Sequence, residues 1–113
     1  MLAAYLDLSL NITINNNDQK VPNFILFQNY PNPFNSSTKI SWQLAAGKEV
    51  QLKIYNLLGQ EVRTLVDEWE EAGSHSIVWD GFNNEGFPAA SGIYICKLKS
   101  GNFSKVNKLI LSR

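Results

Sequence analysis

Residues 28–35 read Gln-Asn-Tyr-Pro-Asn-Pro-Phe-Asn, and the rest of the chain is organised around this stretch. Its two prolines hold φ at about −65° and carry no backbone N–H, so a continuous strand ladder cannot run through it. The residues that precede them, Tyr30 and Asn32, are pushed out of the α region into extended conformations. The stretch therefore predicts a stiff polar corner, with the aromatic residues Tyr30 and Phe34 anchoring it to an apolar surface.

The composition is that of one folded, non-membrane domain. The chain has 113 residues, of which 44% are hydrophobic and 18% charged, enough for a single domain with a modest core. Ten basic residues balance ten acidic ones, which argues against nucleic acid or an anionic membrane as a partner held by bulk charge. No run reaches the roughly 18 apolar residues that suggest a spanning helix. The lone cysteine, Cys96, excludes an internal disulfide and suits a small buried side chain.

The first 23 residues are interpreted as a lead-in strand and polar linker from a preceding domain, with the domain itself at 24–113. The start lacks a basic segment and contains Asp7, so it does not resemble a signal peptide; a secreted protein would carry that signal in a longer chain. Residues 6–14 alternate strictly between apolar and polar, which predicts a strand. Residues 15–23 are mostly polar and predict an exposed linker, the natural place for proteolytic cleavage.

Short alternating segments separated by turn residues fill the rest of the chain. Strands are predicted at 24–27, 39–44, 50–55, 61–66, 76–79, 92–98 and 103–111. Residues 61–69 also fit a helical stripe, but all their neighbours are strands and no helix cap precedes them. Gly59 is expected to supply a positive φ in a loop, segment 92–98 to be central, and the mixed apolar phase of the last strand to reflect a bulge at 105–107. About seven strands predict an all-β, immunoglobulin or fibronectin-III-like antiparallel sandwich.

Catalytic constellations are not found. His75 lies beside a turn without a Ser or Cys motif near it, so it is interpreted as an exposed histidine at a strand edge. The acidic residues Asp67, Glu68, Glu70 and Glu71 are consecutive or nearly so, a pattern typical of a solvated face. We expect no enzymatic activity and no cofactor.

Two binding alternatives stay open. Asp80, Asn83 and Glu85, with glycines beside them, resemble a calcium loop only loosely, because the EF-hand spacing is absent and the same residues form turns readily. An aromatic platform for carbohydrate is the second alternative. However, Trp42 and Trp79 are in phase with aliphatic residues and are expected in the core, which leaves Trp69 as the exposed tryptophan.

Several motifs follow the corner in a fixed order. They are Ile-Tyr-Asn-Leu-Leu-Gly-Gln-Glu-Val at 54–62, Ala-Gly-Ser-His at 72–75 leading to Trp-Asp-Gly at 79–81, Ala-Ser-Gly-Ile-Tyr at 90–94 and Lys-Leu-Ile-Leu at 108–111. From residue 27 onward the chain closely resembles the type A C-terminal sorting domains of the bacterial type IX secretion system. More distantly, it resembles the immunoglobulin-like domain of flagellar hook-capping proteins. The residues that carry the structural motif are Tyr30, Pro31, Asn32, Pro33, Phe34 and Gly59.

Two small departures accompany the resemblance. The family often has a second proline-containing turn where this chain has Ser36 and Ser37, and it tends to have methionine where Leu109 stands. Neither exchange changes size or polarity much.

The resemblance implies an address rather than a catalyst. Such domains end cargo proteins that reach the periplasm by a signal peptide, and the outer-membrane type IX translocon recognises them. They are commonly cleaved off afterwards, so the implied partners are the translocon, the cleaving machinery and a fused cargo domain. The implied location is the periplasm in transit, then the cell surface or medium.

The terminal hairpin, residues 92–111, is the expected recognition element, because edge strands recruit partners through unpaired backbone groups. The recognition candidates are Gly92, Tyr94, Lys105, Lys108 and Leu109. A homodimer that exchanges the strand at 6–14 is a further expectation. A carbohydrate-binding or adhesion module is the alternative function, and a structural spacer is the third.

Overall fold

The computed structural model describes residues 24–113 and contains seven strands. The predicted lead-in strand at 6–14, its exchange in a dimer, and the linker at 15–23 lie outside the described residues. The strands are β1 (Phe24–Leu26), β2 (Thr38–Leu44), β3 (Lys48–Asn56), β4 (Glu61–Glu70), β5 (Gly73–Trp79), β6 (Gly92–Ser100) and β7 (Phe103–Leu111).

The strands form two antiparallel sheets that pack face to face. One sheet has the order β1-β2-β5, and the other has the order β4-β3-β6-β7. The predicted sandwich is therefore confirmed. Residues 61–70 pair with β3 as a strand, and β6 lies between β3 and β7, so both of those predictions are confirmed too.

The core lies between the sheets and follows the alternation of the sequence. In β2 the buried positions alternate with more exposed ones, as the pattern of apolar residues requires. The largest fully buried side chains are Trp42, Trp79, Phe34, Ile40, Leu52, Ile54, Leu98, Leu109 and Leu111. The prediction that Trp42 and Trp79 belong to the core is confirmed.

The bulge predicted at 105–107 is wrong. The register between β6 and β7 is unbroken from Gly92↔Leu111 to Ser100↔Phe103, and the irregularities instead lie between β3 and β4. The apolar residues of β7 fit no single face because its first half is covered on neither face. Phe103 and Val106 point to opposite faces, yet their exposed fractions are 56% and 58%.

The loop between β3 and β4 turns on Gly59, whose φ is 84°, as predicted. The side-chain oxygen of Asn56 accepts hydrogen bonds from the backbone N–H groups of Leu58 and Gln60, both at 3.0 Å. This closes the loop locally, as asparagine does in turns.

The rate at which the Cys96 thiol is alkylated reports how often the core opens around β6. Its side chain is buried, and burial raises the pKa of the thiol to about 12. Because the thiolate is the reactive form, we expect alkylation by iodoacetamide at pH 8 to be at least about 100-fold slower in the folded chain than in urea. Mass spectrometry of timed samples measures both rates. Equal rates would mean that β6 opens readily.

Candidate functional site

The proline corner is a polar loop with a buried hydrogen-bond network inside it. Both Tyr30–Pro31 and Asn32–Pro33 peptide bonds are cis. Asn29 is 3% exposed, and its amide donates to Thr38 Oγ1 at 2.9 Å and to the Pro31 carbonyl oxygen at 3.2 Å. The Thr38 hydroxyl donates to the same carbonyl at 2.7 Å. Because these buried polar groups satisfy one another, the corner keeps its shape against the end of β2.

The two aromatic residues of the corner have opposite environments. Phe34 is 1% exposed, and its ring centroid lies 5.6 Å from that of Trp79. Tyr30 is 80% exposed, so the prediction that it anchors the corner is wrong. Its backbone N–H and C=O both pair with Lys39, and this bridge holds the residue in place while its side chain faces solvent.

The corner pairs with the end of the terminal strand. The backbone N–H of Phe34 donates to the Ile110 carbonyl at 2.9 Å, and the N–H of Ser112 donates to the Phe34 carbonyl at 2.8 Å. These bonds form a short parallel bridge between Phe34 and Leu111. The corner thus acts as a cap on the outer edge of β7.

Side-chain amides extend this cap. The side-chain oxygen of Asn32 accepts a hydrogen bond from the Ile110 N–H at 3.0 Å. The side-chain amides of Asn32 and Gln28 both donate to the Lys108 carbonyl, each at 3.3 Å. An amide side chain can serve an N–H and a C=O of the same strand edge, which explains why asparagine suits this position.

Replacing Asn32 with alanine should loosen the cap without unfolding the domain. The Ile110 N–H would lose its partner, while the backbone bonds of Phe34 would stay. A hydrogen bond of this kind contributes about 0.5–1.5 kcal/mol, so we expect exchange of the Ile110 amide to accelerate about 2- to 12-fold. NMR-detected hydrogen exchange measures this rate.

The matched control is Asn35→Ala, which removes an exposed asparagine of the same corner. It should leave the Ile110 exchange rate unchanged. An equal acceleration in both variants would show that the Asn32 side chain does not hold β7.

The first half of β7 has an unpaired outer edge within residues 24–113. The outward bonds of Lys108, Ile110 and Ser112 show that even-numbered residues turn their N–H and C=O groups away from β6. The outward backbone groups at Ser104 and Val106 have no backbone partner among the described residues. We call residues 103–107 the free edge segment. It ends where the Asn107 side chain donates to the Phe27 carbonyl at 2.8 Å.

The five predicted recognition residues are divided between surface and core. Gly92, Lys105 and Lys108 are exposed, whereas Tyr94 and Leu109 lie opposite each other on the inner face and are 7% and 0% exposed. Only the first three therefore present side chains or backbone to a partner of the folded domain. Tyr94 and Leu109 can affect recognition only by holding the hairpin in the sandwich.

Tyr94 is also fixed by its hydroxyl, which donates to the Ala90 carbonyl at 2.5 Å. Burial raises the pKa of the Tyr94 phenol, an effect that Arg113 opposes. The Arg113 guanidinium donates to the carbonyls of Ala89 and Gly81, at 2.9 and 2.7 Å. The sequence alone predicts no role for Arg113, because the carbonyls that it binds lie more than 20 residues away in the chain. It predicts none for Asn29 either, because the hydrogen bonds of Asn29 depend on the fold of the corner.

In the loop of the calcium candidate, Asp80, Asn83 and Glu85, the side-chain oxygens of Asp80 and Asn83 already accept hydrogen bonds. Asp80 Oδ1 accepts from the Phe82 N–H at 3.0 Å and from Arg63 at 3.1 Å. The side-chain oxygen of Asn83 accepts from the N–H groups of Glu85 and Phe87, at 3.0 and 2.9 Å. The loop has the bonds of a structural turn. Within residues 24–113, no three His, Cys, Asp or Glu side chains are grouped to hold a metal ion.

The same loop covers part of the opposite sheet edge. The Asn84 N–H donates to the Val62 carbonyl at 2.9 Å, and the Thr64 N–H donates to the Asn84 side chain at 3.0 Å. Hydrogen bonds from Thr64, Lys53 and Asn84 lower the pKa of Glu61. One edge of the four-stranded sheet is thus partly covered by this loop, and the other by the proline corner.

The acidic cluster is only partly solvated. Asp67 and Glu68 are exposed, but the Glu70 side chain is 11% exposed and accepts a hydrogen bond from Trp42 Nε1 at 3.0 Å. His75 lies on the edge strand β5 as predicted, yet it is half-buried, stacked on Trp42 with a centroid distance of 5.8 Å. For Glu70 and His75 the prediction of an exposed position is therefore wrong. Glu70 is hydrogen-bonded to the indole of Trp42 and His75 is stacked on it, and these contacts partly bury both side chains.

Among the tryptophans and tyrosines of residues 24–113, the exposed ones are Trp69 and Tyr30, which lie in different parts of the fold. Trp69 is 59% exposed on β4, as predicted, and covers Gly47, whereas Tyr30 belongs to the corner. Trp42 and Trp79 are buried. A row of exposed Trp or Tyr rings on one sheet would have supported the carbohydrate-binding alternative.

Charge is segregated along the chain. Residues 61–85 contain seven acidic residues: Glu61, Asp67, Glu68, Glu70, Glu71, Asp80 and Glu85. Residues 86–113 contain no acidic residue and five basic ones: Lys97, Lys99, Lys105, Lys108 and Arg113. Although the net charge of the whole chain is zero, the terminal hairpin is therefore basic.

A profile of the FlgD Ig-like domain matches residues 29–103. The chain belongs to the FlgD Ig-like domain family. Domains of this family are generally non-catalytic. A search of curated protein sequences finds no significant match. No helix within residues 24–113 is long and apolar enough to cross a membrane.

Solved structures share the fold of this FlgD Ig-like domain. Dimeric latent PorU from Porphyromonas gingivalis matches with a TM-score of 0.61 and 19% identity, over 90% of this chain and 10% of that chain. PorZ, an essential surface component of the type IX secretion system of the same organism, matches with a TM-score of 0.53 and 21% identity, over 80% and 11%. FlgD from P. aeruginosa matches with a TM-score of 0.52 and 25% identity, over 66% and 58%. The chain thus spans a small part of PorU and PorZ, and somewhat over half of that FlgD chain.

Proposed function

We propose that this FlgD Ig-like domain is a sorting domain that directs a fused cargo protein through the type IX secretion system across the outer membrane. The observation that carries the proposal is the contact between the proline corner and the end of β7. The motifs at 28–35 and 108–111, which stand at opposite ends of the resemblance, are joined by four hydrogen bonds that involve Phe34, Asn32 and Gln28. The N–H of Ser112, just beyond the second motif, donates a fifth to the Phe34 carbonyl. Motifs far apart in sequence therefore form one unit.

The role needs no chemistry from the domain itself. The translocon and the machinery that removes the signal are its proposed partners, and the cargo is joined through residues 1–23. Cleavage in the linker at 15–23 would separate cargo from signal, because exposed polar segments are accessible to proteases. The proposed route is the periplasm, then the cell surface or medium.

The partner surface proposed for this role is the exposed surface of the terminal hairpin, on both of its sides. Gly92, Lys105 and Lys108 are exposed there, and the hairpin has no acidic side chain. The same fold in PorZ, described as a surface component of the type IX system, supports this setting.

An export assay tests the proposal. The complete 113-residue chain is fused behind a signal peptide and a fluorescent reporter, in a bacterium that carries the type IX system. We expect the reporter to reach the surface or the medium, and to stay periplasmic when the translocon is disabled or residues 103–113 are deleted. Reporter that stays periplasmic although the domain is folded, or that is exported without residues 103–113, would overturn the sorting role.

A further inference from the structure

The free edge segment is a bounded site for one added strand. It starts at the two-residue turn after β6 and ends at the Phe27 contact with Asn107. The outward groups of Ser104 and Val106 offer two N–H donors and two C=O acceptors in the alternate pattern of an antiparallel ladder. An unpaired edge of this kind binds an extended segment through its main chain.

The side chains around this edge define what the added strand should carry. Phe103 and Lys105 point to the inner side of the sheet, and Val106 and Lys108 to the outer side. All four are exposed. Each side of the edge thus offers one apolar contact and one cation two residues away.

The lysines lack acidic partners in the described part of the chain. Neither Lys105 nor Lys108 makes a salt bridge within residues 24–113, and residues 86–113 contain no Asp or Glu. Like charge at this edge disfavours addition of a second basic hairpin, and opposite charge favours an acidic segment.

We propose that the free edge segment binds an extended segment of a partner protein by strand addition, and that this segment carries apolar and acidic residues in a repeat of three. The inference deepens the sorting role and rests on it for the setting in which the partner is met. In an antiparallel addition along the free edge segment, the residues opposite Val106, Lys105 and Phe103 are apolar, acidic and apolar in turn. An acidic residue two positions before the first of them reaches the Lys108 side chain alone, because the Lys108 carbonyl already accepts hydrogen bonds from the cap. Read from its amino end, the partner therefore follows the pattern acidic-x-apolar-acidic-x-apolar.

The chain itself offers two other occupants. Residues 6–14 alternate with period two and contain a single acid, Asp7, so they do not follow this repeat of three. A second copy would bring another basic hairpin or an acidic segment from 61–85. Occupation of the edge by either one is an outcome that overturns the proposal.

The test uses the complete chain, labelled with ¹⁵N, and a synthetic nine-residue peptide, acetyl-(Glu-Thr-Val)₃-amide. We expect NMR titration to shift amides of the free edge segment and to slow hydrogen exchange at Ser104 and Val106. The control peptide has lysine in place of each glutamate and should bind at least about tenfold more weakly, the ratio that about 1.4 kcal/mol produces.

Three variants locate the binding. The double variant Lys105→Glu, Lys108→Glu should bind the glutamate peptide at least about tenfold more weakly. Lys39→Glu, which reverses one lysine charge on β2, should leave the affinity for the peptide within about twofold. Val106→Pro removes an N–H that points away from β6, so the hairpin stays paired while the peptide loses a donor. Its near-native spectrum with weakened binding is the expected result.

Several results would overturn the inference. They are no shifts at millimolar peptide, shifts outside residues 103–108, equal binding of the lysine peptide, or a free edge already protected in the peptide-free chain. Export in the reporter assay separates this inference from the sorting role. Export without peptide binding rejects the strand-addition site alone, and peptide binding without export rejects the sorting role alone.

Discussion

Replacing Trp79 with alanine should remove a large part of the stability of this domain. Trp79 is fully buried at the end of β5, packed between Phe34 and Tyr94 with centroid distances of 5.6 and 5.5 Å. Its Nε1–H also donates to the Phe82 carbonyl at 3.0 Å. Truncation of such a side chain costs about 3–5 kcal/mol, and a small domain has only about 5–15 kcal/mol in total. We expect a fall in Tm of at least about 12 °C.

The matched control is Val78→Ala, on the same strand. Val78 is 56% exposed and points to the other face of its sheet, so its loss should cost less than about 1 kcal/mol. Urea unfolding followed by far-UV circular dichroism measures both variants without relying on the tryptophan signal. If Trp79→Ala does not fold, Trp79→Phe should still lose more stability than the control. Equal losses for residues 78 and 79 would contradict the placement of β5.

The sequence determines the strands but not all of their surroundings. In a β-sandwich, one face of each strand contacts the core and the other contacts water, so the alternation of apolar and polar residues predicts which side chains are buried. That is why the positions of Trp42 and Trp79, and of β6 in its sheet, could be predicted from the residues around them. The bulge at 105–107 was predicted wrongly because the first half of β7 is covered on neither face, so its apolar residues need not alternate with polar ones.

The candidate site was predictable only in part. The terminal hairpin and its lysines follow from the sequence, since turn residues and charge are local properties. The cap on β7 does not, because it joins residue 32 to residue 110 through a side-chain amide, and no local pattern predicts such a contact. For the same reason, the burial of Glu70 depends on Trp42, which comes from a different sheet and a different strand.

The corner itself provides the second test with a large expected effect, because it contains two aromatic residues with opposite exposure. Phe34→Ala should cost about 3–5 kcal/mol, since the 1% exposed ring fills the core against Trp79. Tyr30→Ala removes a larger side chain that is 80% exposed, and should change stability by no more than about 0.5 kcal/mol. Urea denaturation of both variants, followed by circular dichroism, measures the difference.

Loss of the Phe34 ring should also release the end of β7. The backbone bonds of Phe34 to Ile110 and Ser112 depend on the ring for their position, because the ring anchors the corner in the core. We therefore expect the Ile110 and Ser112 amides to exchange faster in Phe34→Ala, by more than the fall in global stability explains, and to be unchanged in Tyr30→Ala. Equal destabilisation by the two substitutions would show that the corner is attached through its backbone alone. The corner would then hold the terminal strand without using the core of the domain.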